Sequence, residues 1–393
     1  YFVISNLSAT LGASVLTIPL VAVHFKLISL IAPLSNLLTL WAIGFLFLGG
    51  LGIGTLAVFL PGPAQVAAVP FVWLVHYLQW VIDKVSRPAL AALPLESVYY
   101  RAWLVLAYAL LLLFIRTRGR RPVWMPLTAG TAALVLAVVF TRASFSAGDL
   151  SVTVLDVGQG QSVLIRTGGF FTLVDCGGDS RDNPGDVAAD YLQSLGRSSV
   201  DLLVVSHYHD DHANGVPQLL NRISVGSIAL PDVEAEAPLR EAITAAAEER
   251  GVPVRLVRED TRFELSEGRS LSVFAPVMAE GTANELGLTV LASAGERDVL
   301  VTGDMEAEGE RRLVQTVPLP CVEVLVAGHH GSDTSTTPEL LEAVRPDLAL
   351  ISAGLNNKYG HPSWDTLYRL DQAGAKIYRS DVYGTIELLV KEK

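Results

Sequence analysis

SHYHDDHANG, at residues 206–215, is the most informative stretch of the 393-residue chain. Three of the eight histidines lie within it, beside two aspartates and directly after the apolar run VDLLVV. Imidazole is the commonest metal ligand in proteins, and carboxylate is a usual oxygen donor to divalent ions. His207, His209, Asp211 and His212 form the pattern H-x-H-x-D-H, which predicts a metal site at the end of a strand. A surface cluster of histidines is the alternative.

The residues around this pattern alternate between short β-rich runs and helices. SVTVLDV, SVLIRT and FFTLVDC, from residue 151 onward, predict a meander of hairpins. DVAADYLQSLG and PLREAITAAAEERG predict helices that end at Gly196 and Gly251. The alternation predicts an α/β class, with sheets covered by helices.

Polar clusters follow the ends of several predicted strands. SHYHDDH follows VDLLVV, GDMEAE follows RDVLVT, GHHGSD follows VEVLVA, and NNKYGHP follows LALISAG. Ligands and catalytic groups of open α/β sheets gather at the carboxyl edge of the strands. We therefore expect these four clusters to converge in space.

Composition and charge divide the chain near Gly148. Hydrophobic residues make up 50% of the chain, which is too apolar for one soluble domain. Residues 1–149 contain nine Lys/Arg and three Asp/Glu, leaving 20 of 29 basic and 37 of 40 acidic residues for the rest. The two parts thus carry net charges of +6 and −17. We predict a membrane domain at 1–147 and an acidic α/β domain at 148–393.

The first part has the pattern of a polytopic membrane segment. Residues 99–115 and 123–140 are each long enough to cross a hydrocarbon core and predict a transmembrane hairpin. RTRGRR, at 116–121, has four arginines and predicts a cytoplasmic loop, which places the acidic part outside. Upstream apolar segments are broken by Gly and Pro, so a pore and ordinary glycine-mediated packing both remain open. The chain begins at Tyr1 within an apolar stretch, and we interpret it as a fragment.

The motifs resemble the metallo-β-lactamase superfamily, whose fold is an αββα sandwich with metals at one edge. LDVGQGQSVLI, LVDCGG, SHYHDDHANG, LVTGDMEAE, VAGHHGSDTS and NKYGHPS, behind a polytopic segment, further resemble the ComEC family of competence proteins. The resemblance covers about residues 151–385. It implies a fold class of an α-helical polytopic membrane segment followed by this αββα sandwich.

The resemblance implies a ligand set for two divalent metal ions, manganese or zinc. His207 and His209 would bind the first ion, and Asp211 and His212 the second. Asp304 matches a bridging carboxylate, and His361 matches the last ligand of the second ion. Asp304 could instead cap the helix that follows it, and His361 could be a turn residue.

The chain departs from the superfamily pattern in one respect. Many members have a further histidine for the first ion, yet residues 213–303 contain none, and Asn284 lies near the expected place. A site with fewer imidazoles and more oxygen donors favours harder ions such as manganese. The first metal site is therefore expected to bind its ion more weakly.

Further residues are assigned by the same resemblance. Asp211 is expected to orient or deprotonate the attacking water, and His330 to protonate the leaving oxygen, with His329 facing away. Ser332, Asp333 and Thr334 could bind a phosphate or form the turn. Asp156 could support the metal site, and Asp175 could support it or form a turn. Cys176 is expected to be buried and not a ligand.

The resemblance implies uptake of DNA in natural transformation, with an external nuclease degrading the strand that is not transported. The implied partners are DNA, membrane lipid, other competence proteins and further copies of the chain. The net charge of −17 argues against DNA binding unless a local basic strip exists, and the candidates for it are Arg166, Arg181, Lys358 and Arg379. A catalytically silent DNA-binding domain and a metallo-hydrolase of another phosphodiester are the alternatives.

Overall fold

The computed structural model describes residues 12–15, 17–22, 27–86, 92–94, 97–117, 122–146, 150–266 and 268–390. Two compact units emerge from its contacts. One comprises Tyr1–Thr141 with Gln193–Arg197, and the other comprises Arg142–Leu192 with Ser198–Lys393. The predicted domain boundary between residues 147 and 148 lies outside the described residues and stays a prediction.

The first unit contains helices that are long and apolar enough to cross a membrane. Among the described residues there are four, α1 (Ala32–Phe59), α2 (Pro61–Ser86), α3 (Val98–Arg116) and α4 (Trp124–Ser146). A short antiparallel pair, β1 (Leu27–Ser29) and β2 (Ala92–Pro94), accompanies them. The apolar side chains of the helices are mostly exposed, as expected of a surface that faces lipid. The predicted hairpin at 99–115 and 123–140 corresponds to α3 and α4.

The glycines upstream do not break the helices. Gly49 lies within α1, where an added Cβ would collide with the ring of Phe71 in α2. This close approach favours the packing interpretation of Gly49. His76 is exposed on α2, with its ring 6.4 Å from that of Trp73. His24 and the loop residues 118–121 lie outside the described residues.

The second unit begins with a seven-stranded sheet in the order β16-β3-β4-β5-β6-β7-β8. Adjacent strands pair antiparallel from β16 to β5 and parallel from β5 to β8. The strands are β3 (Leu150–Val154), β4 (Val163–Thr167), β5 (Phe170–Val174), β6 (Ser199–Val204), β7 (Ser224–Pro231), β8 (Val254–Val257) and β16 (Ile386–Val390). The predicted hairpin meander is therefore confirmed in β3, β4 and β5.

The other seven-stranded sheet has the same mixture of directions, in the order β15-β14-β13-β12-β11-β10-β9. Its antiparallel part is β9 to β12, and its parallel part is β12 to β15. The strands are β9 (Thr261–Ser266), β10 (Arg269–Phe274), β11 (Thr289–Ala294), β12 (Arg297–Val301), β13 (Val324–Val326), β14 (Leu348–Ile351) and β15 (Lys376–Arg379).

The described helices of this unit are α5 (Pro184–Ser194), α6 (Asp210–Ala213), α7 (Val216–Arg222), α8 (Pro238–Arg250), α9 (Ala307–Thr316), α10 (Pro338–Val344), α11 (Trp364–Gln372) and α12 (Ser380–Tyr383), with a 3₁₀ turn at Gly328–Gly331. All of these helices except α12 connect parallel strands. Gly251 ends α8 in the left-handed conformation, with φ of 66°, as its sequence position predicts.

The main core lies between the two sheets. Alternate residues of β3, such as Val152 and Val154, pack in one cluster with Val299 and Val301 of β12. Each such side chain contributes about 1.5–3 kcal/mol when fully buried. A second cluster joins β13 and β14 to Leu340 of α10 and to α11. Crossover helices must cover the outer faces of the parallel strands, so the predicted αββα sandwich is confirmed.

Candidate metal centre

Four side chains from three strand ends meet at one edge of the sandwich. Asp211, His212, Asp304 and His330 each offer a ligand atom, and these atoms all lie within 4.8 Å of one another. His212 Nε2 is 3.0 Å from Asp304 Oδ1 and 3.2 Å from His330 Nε2. His330 Nε2 lies 3.4 Å from Asp211 Oδ2. We call these four residues the central group.

The first two histidines of the pattern lie beside the central group. His207 Nε2 is 3.1 Å from His209 Nδ1, and the rings of His207 and His212 are 4.2 Å apart. His207 is fully buried, whereas His209 is exposed. The H-x-H-x-D-H stretch forms this cluster because it leaves β6 in an extended conformation and turns into α6 at Asp210.

Asp175 orients His212 from behind. Its Oδ2 is 2.8 Å from His212 Nδ1 and accepts hydrogen bonds from Gln161 Nε2 and Ser206 Oγ. Its Oδ1 accepts from Ser206 N at 2.6 Å. A carboxylate that holds one ring nitrogen fixes the tautomer and leaves the other nitrogen free to bind a metal. Asp175 is therefore part of the site, whereas its sequence position was also compatible with a simple turn.

His330 is oriented in a similar way. Its Nδ1 donates to the carbonyl oxygen of Ser352 at 2.9 Å, which leaves Nε2 facing the central group. His329 and His330 have φ values of 51° and 55°, in the left-handed region that costs roughly 1–2 kcal/mol per residue outside glycine. Strain of this kind persists where surrounding contacts hold it in place.

Two residues brace the loop that follows this turn. Glu310 of α9 is fully buried, and its two carboxylate oxygens accept from the backbone N–H groups of Thr336 and Thr337 at 2.6 and 2.7 Å. Arg369 of α11 donates to the carbonyl oxygens of three residues of the same loop, Asp333, Ser335 and Thr336. Glu310 and Arg369 were not predicted from the sequence, because nothing near them in sequence marks them as connected to the histidines.

The ionisation of the site is divided between neutral and charged donors. Burial, assisted by the nearby His212, holds the pKa of His207 well below its usual value. Burial opposes the ionisation of Asp304 and Asp211, but neighbouring histidines outweigh it and lower the pKa of both carboxyls. Burial also lowers the pKa of His212, and the carboxylates of Asp304 and Asp175 reverse that effect and raise it.

The residues fit divalent metal ions. Asp304 Oδ1 is buried and accepts no hydrogen bond of acceptable geometry, although it lies only 3.0 Å from His212 Nε2. Proximity alone does not satisfy an acceptor, because a hydrogen bond also requires suitable angles. A buried carboxylate oxygen without a partner is costly unless a cation completes it. Ionised carboxylates beside imidazole nitrogens are the donor set of zinc and manganese sites.

The remaining predicted ligands lie at the rim. His361 is outside the central group, and its ring is 5.7 Å from that of His329. The expectation that His329 faces away is wrong, because its Nε2 is 3.7 Å from Asp304 Oδ2. Asn284 donates to Glu306 Oε1, while its own Oδ1 is buried without a hydrogen-bond partner. Metal ligation by His361 stays a prediction. The helix α9 begins after Glu306, so Asp304 is not its N-cap.

Other candidates have local contacts. The carboxylate of Asp156 accepts from Gly158 N, and Cys176 is buried, which raises the pKa of its thiol. Ser332 Oγ lies 3.0 Å from Thr334 Oγ1 and 3.4 Å from Asp333 Oδ1, a turn-forming arrangement.

Only two of the four residues of the predicted basic strip are exposed. Arg379 donates to Asp381 through two nitrogens, and Arg166 is half-buried. Arg181 and Lys358 are exposed. A continuous strip through all four residues stays a prediction.

Comparisons with known proteins agree with this architecture. Residues 155–354 match the sequence profile described as "Metallo-beta-lactamase superfamily", and residues 2–121 match the one described as "Competence protein". The chain is 27% identical to "ComE operon protein 3" of Bacillus subtilis, over 99% of this chain and 52% of that protein. It is 31% identical to "Competence protein ComA" of Neisseria gonorrhoeae, over 96% of this chain and 50% of that protein.

The chain thus spans about half the length of these relatives. Among solved structures, the diiron β-hydroxylase CmlA from Streptomyces venezuelae matches with a TM-score of 0.42 and 15% identity, over 62% of this chain and 54% of that one. The superfamily profile spans most of the sandwich and follows the competence profile along the chain. The chain therefore belongs to the metallo-β-lactamase superfamily and, by the combination of its two domains, to the ComEC family.

Proposed function

We propose that the chain is part of a DNA-uptake protein whose metallo-β-lactamase domain is a metal-dependent phosphodiesterase. Its substrate is the DNA strand that does not enter the cell. The observation that carries the proposal is the central group, in which two ionised carboxylates and two oriented imidazoles converge within 4.8 Å. The names of the relatives support the part played in competence.

Two divalent ions, manganese or zinc, are the proposed cofactors. The central group would hold one ion, and His207 and His209 would begin the site of the other, with Asp304 between them. When bound, such ions lower the pKa of a water and neutralise charge on a phosphodiester. Asp175 and the carbonyl of Ser352 keep the Nε2 atoms of His212 and His330 directed inward, so the chain supplies a preorganised site.

Asp211 is the proposed proton acceptor. Its side chain is 31% exposed, whereas His330 and Asp304 are 1% and 2% exposed. Asp211 is thus the member of the central group that a solvent water can reach. Its low pKa keeps it ionised at neutral pH, and an ionised carboxylate can orient the attacking water.

His330 was expected to protonate the leaving oxygen, and this role stays a prediction. Its hydrogen bond to Ser352 leaves an Nε2 lone pair toward Asp211 and Asp304, which favours a ligand role. His329 and His361, at the rim of the central group, are half-buried imidazoles that could supply the proton instead. Replacing each of these histidines by Gln and comparing metal content with turnover separates a ligand from an acid.

The membrane helices provide the proposed route for the transported strand. We propose an inner-membrane or plasma-membrane location with the hydrolase domain on the extracytoplasmic side, so that the domain meets DNA before the membrane does. Lipid, other competence proteins and further copies of the chain are the additional partners proposed.

The test is cleavage of labelled single- and double-stranded DNA by the whole chain in detergent micelles, first with Mn²⁺ and then with Zn²⁺. We expect cleavage that chelation abolishes. Asp211→Ala should lose roughly 10²–10⁴-fold in kcat, the usual contribution of a general base. Asp210→Ala is the matched control, because Asp210 is an exposed carboxylate of the same helix. Parent-like cleavage by Asp211→Ala would show that the site is elsewhere.

The same assay separates the two alternatives. DNA that is bound but not cleaved with any divalent ion would indicate a catalytically silent binding domain. Turnover of a small phosphodiester without any cleavage of DNA would indicate a hydrolase with another substrate.

A further inference from the structure

An exposed aromatic ring lies at the rim of the metal centre. Tyr359 is 56% exposed, and its ring is nearly parallel to that of His361, with centroids 5.8 Å apart and planes at 13°. The His361 ring is 5.7 Å from that of His329, which is 6.3 Å from that of His330. Consecutive rings therefore lead from the surface at Tyr359 to the buried central group.

The segment that carries Tyr359 is held rigidly. The side chain of Asn357 accepts hydrogen bonds from the backbone N–H groups of Tyr359 and His361 at 3.1 and 3.0 Å, and it donates to Gly354 O at 2.9 Å. Preorganisation of this kind lowers the entropy cost of binding a ligand. A tyrosine exposed on such a loop is a ready contact surface, since it needs no ordering of the backbone.

The same segment is attached to the histidine turn. Ser363 N donates to Gly331 O at 2.8 Å, and Pro362 packs so closely on Gly331 that a Cβ there would collide with it. Gly331 directly follows His329 and His330. The position of Tyr359 relative to the central group is thus determined by two short connections.

Charge determines which interaction can bind a nucleic acid here. Nucleic-acid affinity usually comes from basic side chains that neutralise phosphates. Residues 150–393 as a whole, however, have a net charge of −17. Lys358 Nζ lies over the face of the Tyr359 ring, 4.9 Å from its centroid, and supplies one local cation. Stacking of a base on an aromatic ring contributes about 1–3 kcal/mol and does not depend on net surface charge.

We propose that Tyr359, with Lys358 beside it, is a base-stacking subsite for single-stranded DNA. Lys358 moves from over the Tyr359 ring to the backbone of the strand as a base stacks on that ring, and a phosphate of the same strand reaches the metal centre. The inference rests on the proposed phosphodiesterase function, whose substrate it specifies as an unpaired strand, because bases within a duplex do not expose their faces.

The test measures binding separately from cleavage. The whole chain in detergent, with EDTA, is titrated into two fluorescein-labelled strands of equal length, oligo-deoxythymidylate and its abasic counterpart. Fluorescence anisotropy gives Kd. We expect the parent to bind the thymidylate strand more tightly, and Tyr359→Ala to weaken that binding roughly 5- to 150-fold, the range of one stacked base. Tyr359→Phe keeps the ring and should stay within about twofold of the parent, since stacking uses the π-face.

Tyr368→Ala is the matched control, because Tyr368 is 66% exposed on α11 and lines a cavity against α10. It should bind as the parent does. Equal Kd values for the two strands, or parent-like binding by Tyr359→Ala, would overturn the subsite.

Cleavage with Mn²⁺ then distinguishes this inference from the proposed function. Binding that depends on Tyr359 without cleavage leaves the subsite standing and removes the nuclease proposal. If Tyr359→Ala changes neither cleavage nor binding, the subsite is removed and the nuclease proposal stands.

Discussion

Replacement of Asp175 by Asn tests whether this buried carboxylate prepares His212 for metal binding. The amide is nearly isosteric, but one of its two polar atoms donates instead of accepting. At the Oδ1 position, the amide nitrogen would face the N–H of Ser206, which cannot reverse its role. At the Oδ2 position it would face Ser206 Oγ and His212 Nδ1, which can both accept, and Gln161, whose amide can flip to present Oε1 in place of Nε2.

The second arrangement should therefore prevail, and it has a cost at the metal centre. His212 Nδ1 becomes an acceptor, so the proton moves to Nε2, the atom that points at Asp304. Loss of such an orienting partner typically lowers metal affinity about 10- to 100-fold, or about 1.4–2.7 kcal/mol. The free energy of unfolding should also fall, by about 1–3 kcal/mol, because one buried polar group loses its partner.

The assay is Mn²⁺ binding to the whole chain in detergent, followed by electron paramagnetic resonance of the free ion. Asp156→Asn is the control, since its carboxylate contacts only Gly158 N among the hydrogen bonds of the described residues. Parent-like Mn²⁺ affinity in Asp175→Asn, together with parent-like stability, would refute the orienting role.

Three further predictions test separate features. Burial raises the pKa of Glu310 to about 7 from its usual 4.5, so the folded state holds this proton more tightly and stability falls as pH rises from about 4.5 to about 7. The difference in unfolding free energy between the parent and Glu310→Gln should vary with pH in that window, and a flat difference contradicts the prediction, with exposed Glu308→Gln as control. Asn284→His should increase the affinity of the first metal site for Zn²⁺ by more than for Mn²⁺, because it adds an imidazole, and calorimetry showing no change would place Asn284 outside the site. If the hydrolase domain lies outside, exposed Cys321 should react with a membrane-impermeant maleimide in intact cells, whereas a cysteine introduced at Gly119 in a Cys321→Ser background should react only after permeabilisation. The opposite labelling pattern would place the domain in the cytoplasm.

Much of the architecture follows from local sequence patterns. Apolar helices, alternating strands and glycine stops each depend on residues within one element, so they predict α3, α4, the hairpins of β3 to β5, and the end of α8. The pattern H-x-H-x-D-H is likewise local, since four donors within six residues must lie close together whatever surrounds them. The expectation that strand ends converge extends this reasoning, and the central group confirms it for β6, β12 and β13.

Only the tertiary structure brought in the residues that orient these donors. Asp175 contacts His212 across 37 positions and Glu310 holds Thr336 across 26, and both are buried where sequence spacing cannot reveal a partner. The central group contains His330 beside the predicted donors of two other strand ends, because its backbone turn and the carbonyl of Ser352 direct Nε2 inward. Local composition determines which elements form and which donors exist. Burial and contacts between distant strands determine which of those donors share one site, since both depend on how the two sheets pack.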